Sequence, residues 1–317
     1  MTATNPTTGG MGERSSGAIV QVSDFLEAGP VNRVALDLAA AIQRFGGDSK
    51  IMSGGGLMVA EAQRAGVEHA TVSVASSSPM GNPSGKVAGK LGEWDAQLVH
   101  SHGEDAACLV LKAVGKHRVP HVVSLYDLPV QRNGKPTPGL QTALKGDRVL
   151  LASPFLQNLL QEAGYLHDVR ASVVPPGLAV NALHPSVVTA ARLTRMVRDM
   201  EITAQSPVIL FPAALQDGAG HDIVIEALKA HQDQTWVCLF IGVGQPERRY
   251  QSRLTQRLEA EGLDRRIKIY NGTEDPATLY KLTDIVISTV NGNLAFDYAC
   301  AESQAAGKVV LGANNGA

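Results

Sequence analysis

The sequence predicts an α/β protein built on two parallel sheets, each doubly wound with helices on both faces. Three observations carry that expectation. Short apolar, β-branched runs alternate with segments of helical period along nearly the whole chain. The runs are apolar throughout instead of alternating with polar residues, which is how strands covered on both faces read. The alternation breaks once, near residues 186–206, so the 317 residues divide into two series, each long enough for its own core.

In the first series, "AIVQVSDF" (18–25) is a strand and Gly29-Pro30 a turn. "VNRVALDLAAAIQRFGG" carries apolar residues at 31, 34, 35, 38 and 42 and ends on Gly46-Gly47, a helix with a glycine stop. "SKIMS" and "ATVSVA" are the next strands, and "SSSPMGNPSG" (76–85) has the composition of a loop. "AQLVHSHG" (96–103), "HVVSLYD" (121–127), "VLLAS" (149–153) and "ASVVPPG" (171–177) are four more strands, the last two separated by the helix "PFLQNLLQEAGY". Residues 186–204 read as a linking helix.

The second series runs strand "PVILFPA" (207–213), helix "HDIVIEALKAH", strand "TWVCLFIGVG" (235–244) and helix "PERRYQSRLTQRLEAEG". Strand "RIKIYNG" (266–272), helix "DPATLYKLT", strand "DIVIST" (284–289), a helix over 295–306 and strand "KVVLGA" (308–313) follow. The expected organisation is a disordered tail at 1–16, a first domain at 17–185, a linker at 186–206 and a second domain at 207–317. The tail is small and polar and lacks the apolar stretch of a secretory signal.

Composition narrows the function classes. With 28 Lys and Arg against 30 Asp and Glu, the formal charge is -2, so no positive field exists to hold nucleic acid. Aromatic residues make up 4%, too few for base-stacking platforms. Cys108, Cys238 and Cys300 lie far apart without CxxC spacing, which fits reduced thiols in a cytoplasmic protein better than disulfides or a zinc site. No apolar run reaches the roughly 18 residues of a membrane-spanning helix, and contact with a membrane surface stays open.

Parallel sheets bind ligands beyond the C-terminal ends of their strands. The polar and glycine residues there are Asp24, Ser101, His102, Asp127, Gly242, Gly244, Asn271 and Gly272. In "SDFLEAGPVNRVALDLA", Gly29 precedes a helix whose first backbone N–H groups suit an anion, although an ordinary βα turn reads the same way. "IGVGQPERR" lacks the third glycine of a dinucleotide fingerprint, and "SGGGLMVAEAQRAG" (53–66) is flexible and also misses the spacing. His100 and His102 in "VHSHG" face one side of a strand, but no third ligand is in register. The expectation is therefore a cleft-lining His102 and no metal.

The order of these elements resembles the GT-B glycosyltransferases of the large retaining family 4, the group 1 enzymes that include sucrose synthase and mannosyltransferases. The resemblance runs from about residue 18 to the end of the chain. It rests on segments such as "FLEAGPVNRVALDLAAAIQRFGGDSKIM", "AQLVHSHG", "VPHVVSLYDL", "ASPFLQNLLQEAG", "VILFPAALQDGAGHDIVIEAL", "CLFIGVGQPERRY" and "AESQAAGKVVL", each soft alone and specific in order. It implies two Rossmann-like domains facing a cleft, the second incomplete because the family continues past "GKVVLGANNGA". It further implies a nucleotide-sugar donor on the second domain, a glycan or lipid-linked acceptor on the first, transfer with retention and no metal. The setting would be the cytoplasm or the inner membrane surface.

Residue by residue, the resemblance implies that Glu302 holds the ribose of the nucleotide, with Gly242, Gly244, Asn271 and Gly272 on the donor side. Gly29, His102, Tyr126 and Asp127 fall on the cleft and acceptor side. The chain also departs from the family. The family's first glutamate is Leu294, its glycine-arginine pair falls on Ala213-Ala214, its lysine falls on Ala219, and Tyr126 stands where a histidine is common. Arg248, Arg249 and Lys281 are the nearby cations that could replace the missing grip on a diphosphate. The departures keep open a relative that binds a sugar nucleotide without turnover, as the partner of an active glycosyltransferase. A sugar-nucleotide 2-epimerase, with Glu104 and Asp105 as acid and base, is a further alternative.

Overall fold

The computed structural model describes residues 17–27, 29–74, 82–115, 119–127, 136–202, 206–243, 246–273, 275–289 and 295–314. The tail at 1–16, Gly244 and Leu294 lie outside the described residues.

Among the described residues, the first series forms β1 (Ala18–Ser23), β2 (Ser49–Ser53), β3 (Glu68–Thr71), β4 (Ala96–His102), β5 (His121–Leu125), β6 (Arg148–Leu151) and β7 (Ala171–Val173). Their order in the sheet is β3-β2-β1-β4-β5-β6-β7, all parallel. The helices between them are α1 (Pro30–Arg44), α2 (Val59–Arg64), α3 (Pro83–Glu93), α4 (Glu104–Val114), α5 (Leu140–Ala143) and α6 (Pro154–Glu162). Alternate strand residues serve opposite faces. Val20, Met52 and Val99 pack with Val87 and Leu91 of α3 and Val110 of α4, whereas Ile51 packs with Leu36 and Ala39 of α1 and Ala62 of α2.

The second series forms β8 (Val208–Ala213), β9 (Val237–Gly242), β10 (Ile267–Tyr270), β11 (Ile285–Ser288) and β12 (Val309–Gly312), in the order β10-β9-β8-β11-β12, all parallel. Phe211, Cys238 and Phe240 pack under α9 (His221–Lys229) and α10 (Arg248–Ala260). Leu210, Leu239 and Ile241 pack on the other face against α11 (Pro276–Leu282) and Ala306, just past α12 (Tyr298–Ala305). This is the two-sheet doubly wound architecture that the sequence predicts.

Three elements differ from expectation. The third strand is β3 (Glu68–Thr71), not 70–75, because its pairing with Lys50–Ser53 of β2 fixes the register two residues earlier. Of the loop expected at 76–85, residues 76–81 lie outside the described residues, and from Pro83 the chain is helical, with Asn82 as its cap. Asn82 Oδ1 accepts from Gly85 N at 3.0 Å and caps α3, with Pro83 at the first turn, where proline is tolerated. The linker carries a shorter helix than 186–204: α7 (Val180–Leu183) and a 3-10 turn (Pro185–Val187) precede α8 (Ala190–Asp199), whose cap is Thr189.

The linker is tied to the second domain. Lys281 Nζ donates to the carbonyls of Pro185 at 3.1 Å and Val188 at 3.0 Å, and Arg192 pairs with Asp275 at 2.6 Å. The second domain also reaches the first directly. Ala295 N donates to Tyr126 O at 3.0 Å, and Ala295 is wholly buried in a cluster with Tyr126, Leu140 and Leu151. The residues just before α12, from Ala295, thus form a seam between the two halves.

Candidate functional site

Each sheet order reverses direction once, between β1 and β4 and between β8 and β11, which are the positions where open parallel sheets form crevices at their C-terminal strand ends. The seam brings residues 295–302 over the C-terminal end of β5, so the site is assembled from both halves.

On the first domain, Asp24 follows β1. Its loop is held by a turn through the "SGGG" stretch: Gly54 N donates to Asp24 O at 2.8 Å and Leu26 N to Gly55 O at 2.8 Å. Gly56 has φ +139° and a Cβ there would lie 2.5 Å from the Leu26 carbonyl, so only glycine fits. The stretch read as flexible is therefore an ordered clasp on the end of β1. Asp24 Oδ1 is buried without a hydrogen bond among the described residues. Burial, with the Asp105 carboxylate adding to it, pushes the Asp24 carboxyl up to about 6.

Gly29 caps α1 with extended backbone, φ 171°. A Cβ there would meet only Asn32 Nδ2 at 3.7 Å, so the glycine is not required by strain; it leaves the space before the helix open. No acidic side chain occupies the first turn of α1.

His102 does not line the cleft. It is 1% exposed, with Nε2 2.9 Å from Gln21 Oε1 and Nδ1 2.8 Å from Tyr126 Oη. Both nitrogens are engaged inside the sheet, and burial drives its pKa well below the ordinary histidine value, so the ring is neutral. The same bond turns Tyr126 inward; the residue is 5% exposed and offers the cleft its backbone rather than its hydroxyl. His100 is similarly engaged, 2.8 Å from Ser124 Oγ. Among the described residues no group of three His, Cys, Asp or Glu side chains could hold a metal. Asp127, one residue past Tyr126, is exposed to solvent, yet the protein around it weakens solvation enough to push its carboxyl up to about 6.

On the second domain, Glu302 is half-buried on α12 and accepts a hydrogen bond from Tyr280 Oη at 2.8 Å. Burial raises its pKa, opposed by the Tyr280 bond and by the positive charge of Arg33 on α1 of the other domain. Asp37, on the same helix as Arg33, raises it in turn, so Glu302 lies within reach of the charges on α1 of the first domain. Arg33 is itself paired with Asp37 at 2.7 Å and Glu61 at 2.8 Å.

Gly242 and Gly272 come together at the ends of β9 and β10: a Cβ on Gly272 would sit 3.5 Å from Gly242 O, and one on Gly242 would press Leu215 at 2.9 Å. Asn271 beside them is exposed. Ala213, Ala214 and Ala219 lie on the stretch between the end of β8 and Gly220, the cap of α9. That stretch is tied to the start of α10 by Glu247 N donating to Leu215 O at 3.0 Å. Arg248 and Arg249 thus begin a helix anchored to the loop that lacks its own cation. Both are exposed and form no ion pair among the described residues. Lys281 is not available, because its ammonium is spent on the linker carbonyls.

Sequence reasoning missed Arg33, Tyr280 and Tyr298. A signal existed for the last: Tyr298 and Glu302 are four apart on α12 and so share a face.

The family profile described as Glycosyltransferase Family 4 matches residues 30–181, and the profile described as Glycosyl transferases group 1 matches residues 195–317. The chain belongs to the group 1 glycosyltransferases. No curated protein matches this glycosyltransferase. Solved structures do. A glycosyltransferase from Rickettsia africae superposes with TM-score 0.80 at 22% identity, covering 96% of this chain and 81% of that one. Anabaena HepE in complex with UDP-glucose gives 0.81 at 18% identity, covering 94% and 81%. Sucrose-phosphate synthase from Thermosynechococcus elongatus gives 0.76 at 12% identity, covering 95% and 82%. The fold of this glycosyltransferase is therefore GT-B.

Proposed function

We propose that this glycosyltransferase moves a sugar from a nucleotide-sugar donor to a glycan or lipid-linked acceptor, with retention and without a metal, in the cytoplasm or at the inner membrane surface. The observation that carries the reading is Glu302, a half-buried carboxylate on the last described helix, held by Tyr280 and within reach of the charges of Arg33 and Asp37 on the other domain. One of its oxygens is held by Tyr280, which orients the other toward a ribose diol. The anchored Arg248 and Arg249 supply cations for the diphosphate in place of the side chains absent at Ala214 and Ala219, where charge develops on the leaving group. That HepE was captured with UDP-glucose supports a nucleotide sugar as the donor class here.

Isothermal calorimetry with UDP-, GDP- and ADP-sugars tests the reading. One of them binds, and Glu302→Ala weakens that binding about tenfold or more. Failure of all three to bind sinks it. Binding without turnover, in the presence or absence of a second glycosyltransferase, would favour the non-transferring relative that the alanines at 214 and 219 keep in view. The 2-epimerase reading is weaker, because the Glu104 carboxylate accepts a hydrogen bond from Thr137 Oγ1 and closes against Gly139.

A further inference from the structure

We propose that Tyr298 and Asp127, one from each domain, together hold a single hydroxyl of the donor's glycosyl unit. Tyr298 is 7% exposed, and its Oη has no hydrogen-bond partner among the described residues. A buried hydroxyl left unpaired is costly, so it marks a group that a ligand or water completes. The start of α12 is docked on the end of β5: Ala295 N donates to Tyr126 O at 3.0 Å, and Phe296, in the Tyr126 cluster, lies edge-on to the Tyr298 ring at 5.0 Å, so that Asp127, Tyr126 and Glu302 all act on the Tyr298 hydroxyl. Neighbouring hydroxyls are spent: Tyr126 Oη on His102 Nδ1 at 2.8 Å, and Tyr280 Oη on Glu302 Oε2 at 2.8 Å.

The pair defines its ligand. Burial raises the tyrosine pKa, so the phenol stays protonated and donates. Asp127, exposed at the end of β5, accepts. A sugar hydroxyl, which donates and accepts at once, bridges the two. A phosphate fits poorly, because it would face the carboxylates of Asp127 and Glu302 while the nearby cation, Arg33, is already paired with Asp37 and Glu61. This assignment rests on the donor reading above and adds the contact that recognises the sugar rather than the nucleotide.

The test compares UDP-glucose, GDP-mannose and ADP-glucose, each against its own nucleoside diphosphate, by calorimetry on the wild type and Tyr298→Phe. The variant loses only an unpartnered hydroxyl, so its melting temperature does not fall. Its affinity for the sugar nucleotide drops about tenfold while its affinity for the bare diphosphate is unchanged. Asp127→Asn gives the same selective loss, and the double variant loses less than the sum of the two, as groups sharing one ligand atom should. An unchanged sugar-nucleotide affinity, an equal loss for the bare diphosphate, or a lowered melting temperature in Tyr298→Phe each overturns the assignment while leaving the donor reading intact. If the wild type binds none of the three sugar nucleotides, the donor reading falls and the assignment with it.

Discussion

The two sheets share a topology but not an interior. Gln21, Ser23, Ser49, Ser53, His100, Ser101, His102, His121 and Ser124 are all buried in the strands of the first sheet. Many are cross-linked side chain to side chain: His100 to Ser124, His121 to Ser101, His102 to Gln21 and Tyr126. In the second sheet, β8 and β9 bury Leu210, Phe211, Cys238, Leu239, Phe240 and Ile241. One half is held in register by directional hydrogen bonds between neutral imidazoles and hydroxyls, the other by shape. Hydrogen bonds fix geometry at modest net stability and punish any unpaired member, whereas apolar packing carries most of the free energy and is indifferent to pH.

The largest expected effect lies in the apolar half. Phe240 is fully buried, with its ring 5.4 Å from Phe211 and 5.0 Å from His221. Phe240→Ala should cost about 3–5 kcal/mol in urea unfolding. The loss should be smaller at pH 5 than at pH 7, because the cavity also relieves the burial that holds His221 down to about 4. A loss under about 1 kcal/mol would mean that the second core collapses around the cavity and is less tightly packed than its contacts indicate.

Acid should distinguish the halves next. Burial holds His100 and His121 down to about 4, and His102 lower still. A ring whose folded pKa is depressed binds fewer protons in the native than in the unfolded state. Its stabilisation is complete above the unfolded value near 6.5 and is lost as pH falls toward 4, by at most about 3 kcal/mol for His100 or His121. Asp24 and Asp127, raised to about 6, run the other way and offset part of that loss as they protonate. The second half carries one comparable ring, His221, also held down to about 4. Amide exchange in β4 and β5 should therefore accelerate relative to β8 and β9 between pH 6.5 and 4.5. Equal loss of protection in both sheets would break the comparison.

The same contrast explains what the sequence could reveal. The apolar run "VCLFIG" sits fully covered and "VILFPA" largely so where periodicity puts them, and Ser153 before Pro154 marks the start of α6 as a capped helix should. His102 was misread because a polar residue at a strand end has two resting places, a cleft or a buried partner. Only the neighbours on β1 and β5, Gln21 and Tyr126, decide between them. Those neighbours are set by strand order, which local pattern does not encode. The seam escaped for the same reason: Ala295 against Tyr126 and Glu302 near Arg33 join residues more than 150 positions apart. Gly242 and Gly272 fall at strand ends as the sequence placed them, and the close approach of the one to the other's carbonyl became visible only with the strand order.

The smallest effect probes the edge of the polar half. The first sheet compensates for its hydrophilic strands with helices, and α3 presents Val87 and Leu91 to the same cluster as Val20 and Val99. Proline and glycine hid that helix in the sequence, and one side chain, Asn82, fixes its start. Asn82→Ala should cost about 1 kcal/mol in urea unfolding, and Asn82→Gly only a few tenths. Both are cap-sized losses, since the buried face of α3 is untouched. If Asn82→Ala instead costs as much as Phe240→Ala, then α3 docks only when capped. The polar sheet would then depend for its apolar cover on a single side chain, and the fragility assigned to its imidazoles would belong to the helix above them.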